Sequence, residues 1–190
     1  MAHWWVGFPE ERFWCEVADG PAVGTALQCP RADPLGRPWW SYDFIRLVRP
    51  GDVVFHFSPS GRCIVGASVA GEPCVETEVS WPAPPVGLFD TTDRGSVLLP
   101  GWIRPLHGFR AIGTPLTLDM IRADLEREWH INWWELSRLP GYLPLHTMVF
   151  PRRAPTAMGY LIKIPADVVR YWPALSGLAA SLETRAAVAG

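Results

Sequence analysis

The stretch Arg37–Ala70, RPWWSYDFIRLVRPGDVVFHFSPSGRCIVGASVA, sets the architecture of the chain. Two adjacent tryptophans, Trp39 and Trp40, and Ser41-Tyr42 lead into a short apolar-periodic segment, Phe44-Ile45-Arg46-Leu47-Val48. Arg49-Pro50-Gly51-Asp52 is a turn sequence, and Val53–Phe57 after it has strand composition. Ser58-Pro59-Ser60-Gly61 is a second turn, and Cys63–Val69 a second strand. Two β-rich runs joined by a short polar Gly/Pro loop predict a hairpin. The tryptophans stand on the connection before it. The hairpin is therefore the scaffold, and the Trp-Trp-Ser edge is the candidate site.

Upstream, His3–Phe8 is a short aromatic strand, ended by Pro9-Glu10-Glu11. Arg12–Val17 suits a second strand or a helical turn, and Ala18–Pro38 is rich enough in Gly, Pro, Ala and Asp to be a long, functional loop. Ser41 is placed to cap a short helix over Tyr42–Val48, with Asp43 in its first turn. Downstream, Glu72–Val79 is a half-exposed strand, and Ser80-Trp81-Pro82-Ala83-Pro84-Pro85 should leave the sheet, since proline cannot continue a central ladder. Val86–Pro100 is a second loop, and Gly101–Ile112 a strand broken by Pro105. The clearest helix is Leu118–Trp129, capped by Thr117 or Asp119, with Leu118, Ile121, Leu125 and Trp129 as its inner stripe. A helical turn at Asn132–Arg138, late strands at Leu145–Phe150 and Gly159–Ile164, and a helix from Pro165 complete the pattern. The sum is an α+β domain over residues 1–172: a small curved sheet or barrel of five to six mostly antiparallel strands with flanking helices. Residues 173–190 form a terminal helix or a linker to a missing domain.

The 190 residues suffice for one hydrophobic core, and no apolar run is long enough to span a membrane. The N-terminus lacks the basic and apolar regions of a secretory signal, so a cytoplasmic location is expected. Cys15, Cys29, Cys63 and Cys74 make no C-x-x-C pair and fit neither a zinc site nor a redox motif; they are expected to be reduced core thiols. A net charge of -2 argues against a broad basic footprint. Of the 17 basic residues only Lys163 is a lysine, a bias that a high-GC genome explains, although arginine is also the better phosphate ligand.

The sequence offers little catalytic chemistry. It has no G-x-S-x-G, no Walker loop, no dinucleotide fingerprint and no H-E-x-x-H. None of His3, His56, His107, His130 and His146 lies at metal-ligand spacing from another, so neither a metal nor a cofactor is expected. His56 alternates with Phe55 and Phe57 and so points to the opposite sheet face, as a hydrogen-bonded histidine on a sheet. What stands out is aromatic: 11 tryptophans, of which Trp39, Trp40, Trp81 and Trp102 fall at strand ends or in loops. Two indoles facing each other can sandwich a flat ring, each stack contributing about 1–3 kcal/mol per base. Asp43, beside the tryptophans, either caps the short helix or accepts from the exocyclic amino group of a base.

These residues, in this order, resemble the PUA-like superfamily and within it the EVE and YTH domains. The resemblance rests on HWWVGF, on Trp40-Ser41, on the short helix running into RPGDVVFHF, on IVGASVA, on Trp81, and on GWIRPLHGFRAIGTPLTLDMI. It covers residues 3 to 130, with weaker agreement to 170. It implies a binding module without catalysis of its own, which flips a modified base into an aromatic cage: 5-methylcytosine or 5-hydroxymethylcytosine first, N6-methyladenine second. Carried over, the walls fall on Trp40 with Ser41 and on Trp81; Trp102 or a residue of Val86–Pro100 would supply the third, with Asp43 reading the polar edge. The first loop contains no asparagine, unlike the YTH pattern, which favours a cytosine-derived base. Arg31, Arg37, Arg94, Arg104, Arg152 and Arg153 are the phosphate-binding candidates. The resemblance further implies the specificity module of a modification-dependent restriction endonuclease, fused to an HNH nuclease and dimerising through it. An RNA-binding PUA-like module is the alternative.

Overall fold

The structure, a computed structural model, describes residues 12–38, 42–82, 95–121, 160–164 and 166–189. Seven strands form one mixed, open sheet: β1 (Phe13–Val17), β2 (Ala26–Pro30), β3 (Val53–Ser58), β4 (Cys63–Ala70), β5 (Val75–Pro82), β6 (Ser96–Thr117) and β7 (Leu161–Ile164). The order is β2-β6-β4-β3-β1-β7, with β5 also paired to β6. Among the described strands only β1 and β3 run parallel. A 3-10 turn (Asp43–Arg46) and two helices, α1 (Ala166–Tyr171) and α2 (Pro173–Ala189), flank the sheet. The α+β class and the curved, mostly antiparallel sheet agree with expectation, with one strand more than the five or six anticipated. The expected strands His3–Phe8 and Leu145–Phe150 and the turn Asn132–Arg138 lie outside the described residues.

The hairpin forms as read, β3 against β4 with Val53 opposite Val69. Its entry is a type II turn: the Asp52 N–H donates to the Arg49 carbonyl at 3.0 Å, proline takes the second position, and Gly51 takes the third at φ +83°. Asp52 does more than turn the chain. It is buried, and it accepts from the Trp14 indole Nε1 at 2.9 Å, the Arg49 backbone N–H at 2.8 Å and Arg12 Nε at 3.0 Å. One carboxylate thus ties the turn to β1, forty residues earlier.

Every residue of β3 is buried, so the strand feeds two cores. Val53, Phe55 and Phe57 face one side with Cys15, Ile64, Leu116, Leu118 and Ile121, covered by Val169, Trp172, Leu175, Ala179 and Leu182 of the helical tail. Val54 faces the other side with Trp14, Leu27, Cys29, Phe44, Ile45, Val48, Leu106 and Leu161. Period-two alternation on a strand buried on both faces produces this division. On the second side the sheet curls on itself: the Gln28 N–H on β2 donates at 2.8 Å to the phenol of Tyr160, next to β7, so a side chain bridges the two sheet edges.

Several expectations need correction. The loop Ala18–Pro38 contains β2, whose Leu27 and Cys29 are fully buried against β6; its short Leu-Gln-Cys alternation was masked by the surrounding Gly, Pro and Asp. Ser80-Trp81-Pro82 does not leave the sheet. It ends β5, which among the described residues bonds only to β6, and a proline at the last position of such a strand deletes no inner ladder bond. Residues 96–100 of the second expected loop begin β6, which continues through Pro105 without a break. Pro105 falls where β6 changes partners, between the last β5 pair (Val75 with Ile103) and the last β4 pair (Ala70 with Leu106). Its carbonyl accepts from the Gly71 N–H on that edge at 2.9 Å, and its missing N–H meets only the gap. The helix over Tyr42–Val48 is a 3-10 turn whose cap position is Tyr42 rather than Ser41, with Asp43 in its first turn as expected. Residues 118–121 are helical, and the Thr117 hydroxyl accepts from the Met120 N–H at 3.2 Å, which makes Thr117 the cap.

Candidate functional site

A cleft of about 770 Å³ opens beside the second core. Glu16 and Val17 of β1, the loop residues Ala18, Asp19, Ala22 and Val23, Gln28 of β2, Asp33, Arg37, Tyr42, the β5 end Ser80-Trp81-Pro82, and Tyr160 line it. Trp81 is its aromatic wall. The indole stands edge-to-face with both Tyr42 (centroids 5.3 Å, 77°) and Tyr160 (5.4 Å, 79°). Such a T-shaped pair adds about 0.5–1.5 kcal/mol beyond burial, enough to hold the ring in one orientation. Burial pushes the Tyr42 phenol up from its ordinary value.

Behind the cleft runs a buried polar chain. Tyr160 Oη accepts from Gln28 N–H and donates to Glu16 Oε1 at 2.6 Å; Glu16 Oε2 meets His56 Nδ1 at 2.8 Å; His56 Nε2 meets Ser68 Oγ at 3.0 Å. Ser68 in turn donates to the Gly24 carbonyl at 3.2 Å. The single Ser68 proton is thereby spent, so His56 Nε2 must carry one, leaving one further proton between His56 Nδ1 and Glu16. Burial, then the Glu16 charge, raises the Tyr160 phenol well above its ordinary value. In connectivity this is a Ser-His-Glu triad, but it is reversed: Glu16 faces the cleft, whereas Ser68 is 0% exposed. A substrate carbonyl cannot approach that hydroxyl, so the chain holds structure rather than activating a nucleophile.

The cleft rim is organised by two aspartates. Asp19 accepts from the Ser58 hydroxyl (2.5 Å) and the Ser60 N–H (3.0 Å), tying the hairpin tip to the cleft loop. Burial pushes its carboxyl up, but these two bonds prevail and hold it below the usual range. Asp33 accepts from the backbone N–H of Arg37 and of Leu35 and from Arg37 Nε, and the Arg37 N–H leads in holding its carboxyl low. This fastens the loop that brings Arg37 to the rim and leads into Trp39-Trp40-Ser41.

The structure brings together only part of the expected site. Trp81 and Arg37 line the cleft. Trp40, Ser41, Arg94, Arg152 and Arg153 lie outside the described residues. Trp102 is not at the cleft; the guanidinium groups of Arg31 and Arg46 each lie 5.6 Å from its ring centre. Asp43 is exposed and does not line the cleft. Arg31 is half exposed and pairs with Glu76. Arg104 is buried, donating to the carbonyls of Ile45, Gly71 and Glu72, and is turned away from solvent. Sequence reasoning missed Tyr42, Tyr160, Glu16 and Gln28. A carboxylate inside the apolar run Phe-Trp-Cys-Glu-Val was the one available signal. Cys15 and Cys29 are buried, with burial raising both thiols, and all four cysteines are free. Among the described residues no cluster fit for a metal occurs, and no helix is long and apolar enough to cross a membrane.

No family model matches the sequence and no curated protein matches it. Solved structures do resemble it. Human THYN1 in complex with 5-methylcytosine-containing DNA is 12% identical (86% of this chain, 95% of that one, TM-score 0.42). The N-terminal domain of Staphylothermus marinus McrB is 14% identical (88% and 94%, TM-score 0.44). The DUF55 domain of human thymocyte nuclear protein 1 is 10% identical (87% and 99%, TM-score 0.45). At these identities the likeness is one of fold alone.

Proposed function

We propose that the chain reads a modified base in DNA, flipped out of the duplex into this cleft. 5-Methylcytosine or 5-hydroxymethylcytosine is the favoured base and N6-methyladenine the second. The observation that carries this reading is Trp81, held edge-on by Tyr42 and Tyr160 at the wall of a cleft large enough for a nucleotide. Trp40 and Ser41 immediately precede Tyr42 in the chain, so a second wall can come from that connection. Magnitudes favour two walls: flipping costs a few kcal/mol, whereas one stack returns about 1–3 kcal/mol. Arg37 at the rim, 69% exposed, supplies a phosphate contact; Arg31 and the candidates Arg94, Arg152 and Arg153 would extend it. Arg104 drops out of this set because its guanidinium is spent on carbonyls. In this reading the chain is the non-catalytic specificity module of a modification-dependent restriction enzyme, with a fused HNH nuclease through which it dimerises.

Duplexes that are unmodified or carry 5-methylcytosine, 5-hydroxymethylcytosine or N6-methyladenine, and a matching single-stranded RNA, titrated against wild type and Trp81→Ala, test it. One modified duplex should bind selectively, and Trp81→Ala should weaken it by about 5- to 150-fold, the equivalent of one lost stack. Equal weak binding to all, unchanged by the substitution, would sink the reader; preference for the RNA would make the chain an RNA-binding module.

A further inference from the structure

We infer that Leu35 is the wedge that enters the duplex where the read base has left its stack; the inference rests on the base-reader reading above. Residues 33–37 form a short closed loop with both ends at the cleft, since Asp33 and Arg37 each line it. The Asp33 N–H donates to the Arg37 carbonyl at 2.9 Å, and the Gly36 N–H donates to the Asp33 carbonyl at 2.8 Å. Pro34 in the second position of that turn, with Gly36 closing it at φ +78°, suits a tight reversal. The Asp33 carboxylate fills the loop from within. It accepts from the Leu35 N–H at 2.9 Å, the Arg37 N–H at 2.8 Å and Arg37 Nε at 2.7 Å. The loop is therefore stiff, and the side chain it holds out is apolar: Leu35 is 64% exposed.

An isolated exposed leucine is ordinary; the position of this one is not. Among the described residues the exposed large apolar side chains are Leu35, Val75, Leu98, Phe109, Met120 and Tyr171. Only Leu35 has a cleft-lining residue within two positions on either side. Along the backbone it stands at most about 7 Å from Arg37, the phosphate contact of the proposed reading. A strand held at Arg37 with one nucleotide in the cleft thus passes the loop tip. Extruding a base leaves a gap between its neighbours, and leucine is one of the side chains that fill such gaps. Burying it there offsets part of the cost of flipping, and a loop already held in one shape loses little entropy in doing so.

A wedge predicts a loss that depends on strand state. A duplex carrying 5-methylcytosine must open a gap to deliver its base, whereas a single strand of the same sequence has none to fill. Leu35→Ala should weaken binding of the duplex by about 5- to 50-fold, the share of leucine burial that a single methyl cannot replace, and leave binding of the single strand unchanged. Leu35→Met, which keeps apolar reach, should retain most of the duplex affinity. Because the side chain is exposed, the melting temperature should not move in either variant. The same pair of probes is prepared with 5-hydroxymethylcytosine and with N6-methyladenine. Equal loss on duplex and single strand would put Leu35 on the bound nucleotide itself and overturn the wedge; no loss on either would make it an ordinary surface leucine. Selective binding of the modified single strand alone keeps a modified-base reader without flipping and also overturns the wedge. If wild type binds none of the modified probes above their unmodified counterparts, the reader and the wedge fall together.

Discussion

His56→Leu is expected to lower the unfolding free energy by about 3–5 kcal/mol, the usual consequence of removing one partner of a buried charged pair. The leucine fills most of the imidazole volume, so a cavity contributes little; the loss comes from polarity. Glu16 Oε2 keeps its place at 3% exposure but loses the proton donor 2.8 Å away, and Ser68 Oγ loses the donor at 3.0 Å. The carboxyl is left with the Tyr160 hydroxyl on Oε1 and without its hydrogen-bond partner on Oε2. Against a total stability of about 5–15 kcal/mol this is a large fraction, and in a chain of this size it corresponds to a fall in melting temperature of about 6–20 °C. Urea denaturation of wild type, His56→Leu, Glu16→Leu and the double variant decides between two accounts. If the uncompensated carboxylate is the cause, the double variant should be more stable than His56→Leu alone. If it is less stable, by the sum of the two single effects, the pair contributes as two independent packing residues and the buried polar chain is incidental.

That network also shows where sequence reading stops. The orientation of His56 was legible, because strand alternation alone sets it opposite Phe55 and Phe57, and the structure places it so. The hairpin was legible for the same reason: both strands and both turns lie within one short stretch. Trp81 was legible as an aromatic out of place, but not its surroundings. Its two supporting tyrosines come from either end of the chain, and the Tyr160–Glu16 bond spans 144 residues. No local pattern marks a bond of that length. β2 was missed because five residues with one clear alternation cannot outweigh the turn formers around them. The surroundings of Arg104 were equally out of reach: no local pattern marks that β6, continuous through Pro105, carries its guanidinium inward to the carbonyls of residues 45, 71 and 72. Where local composition and long-range pairing conflict, the burial of a few apolar side chains prevails, since each contributes about 1.5–3 kcal/mol against turn propensities well below that.

The second large effect falls on Asp52. Asp52→Ala should destabilise the fold by about 2–4 kcal/mol, because it orphans two N–H groups at once, each costing about 1–3 kcal/mol when left unpaired out of water. The indole of Trp14 is 2% exposed and has no water to turn to; the Arg49 N–H is only partly sheltered and recovers some of the loss. The Arg12 pair contributes less, since the Arg12 side chain is 53% exposed and a screened ion pair yields at most about 1 kcal/mol. Asp52→Asn separates these contributions. Both buried N–H groups converge on Oδ2, so an asparagine can keep its oxygen there and turn its amide towards Arg12. It should therefore cost about 1 kcal/mol or less, several-fold milder than alanine, and Trp14 fluorescence should keep its wild-type emission maximum. If asparagine costs as much as alanine, the exposed ion pair is the tie between β1 and the turn, and the ranking by burial is wrong. The consequence reaches the cleft, because β1 starts beside this tie and its far end, Glu16 and Val17, lines the cleft. Slack introduced at Asp52 is slack in a strand that lines the cleft, so under the proposed function Asp52→Ala should also weaken binding of a modified duplex while Asp52→Asn leaves it intact.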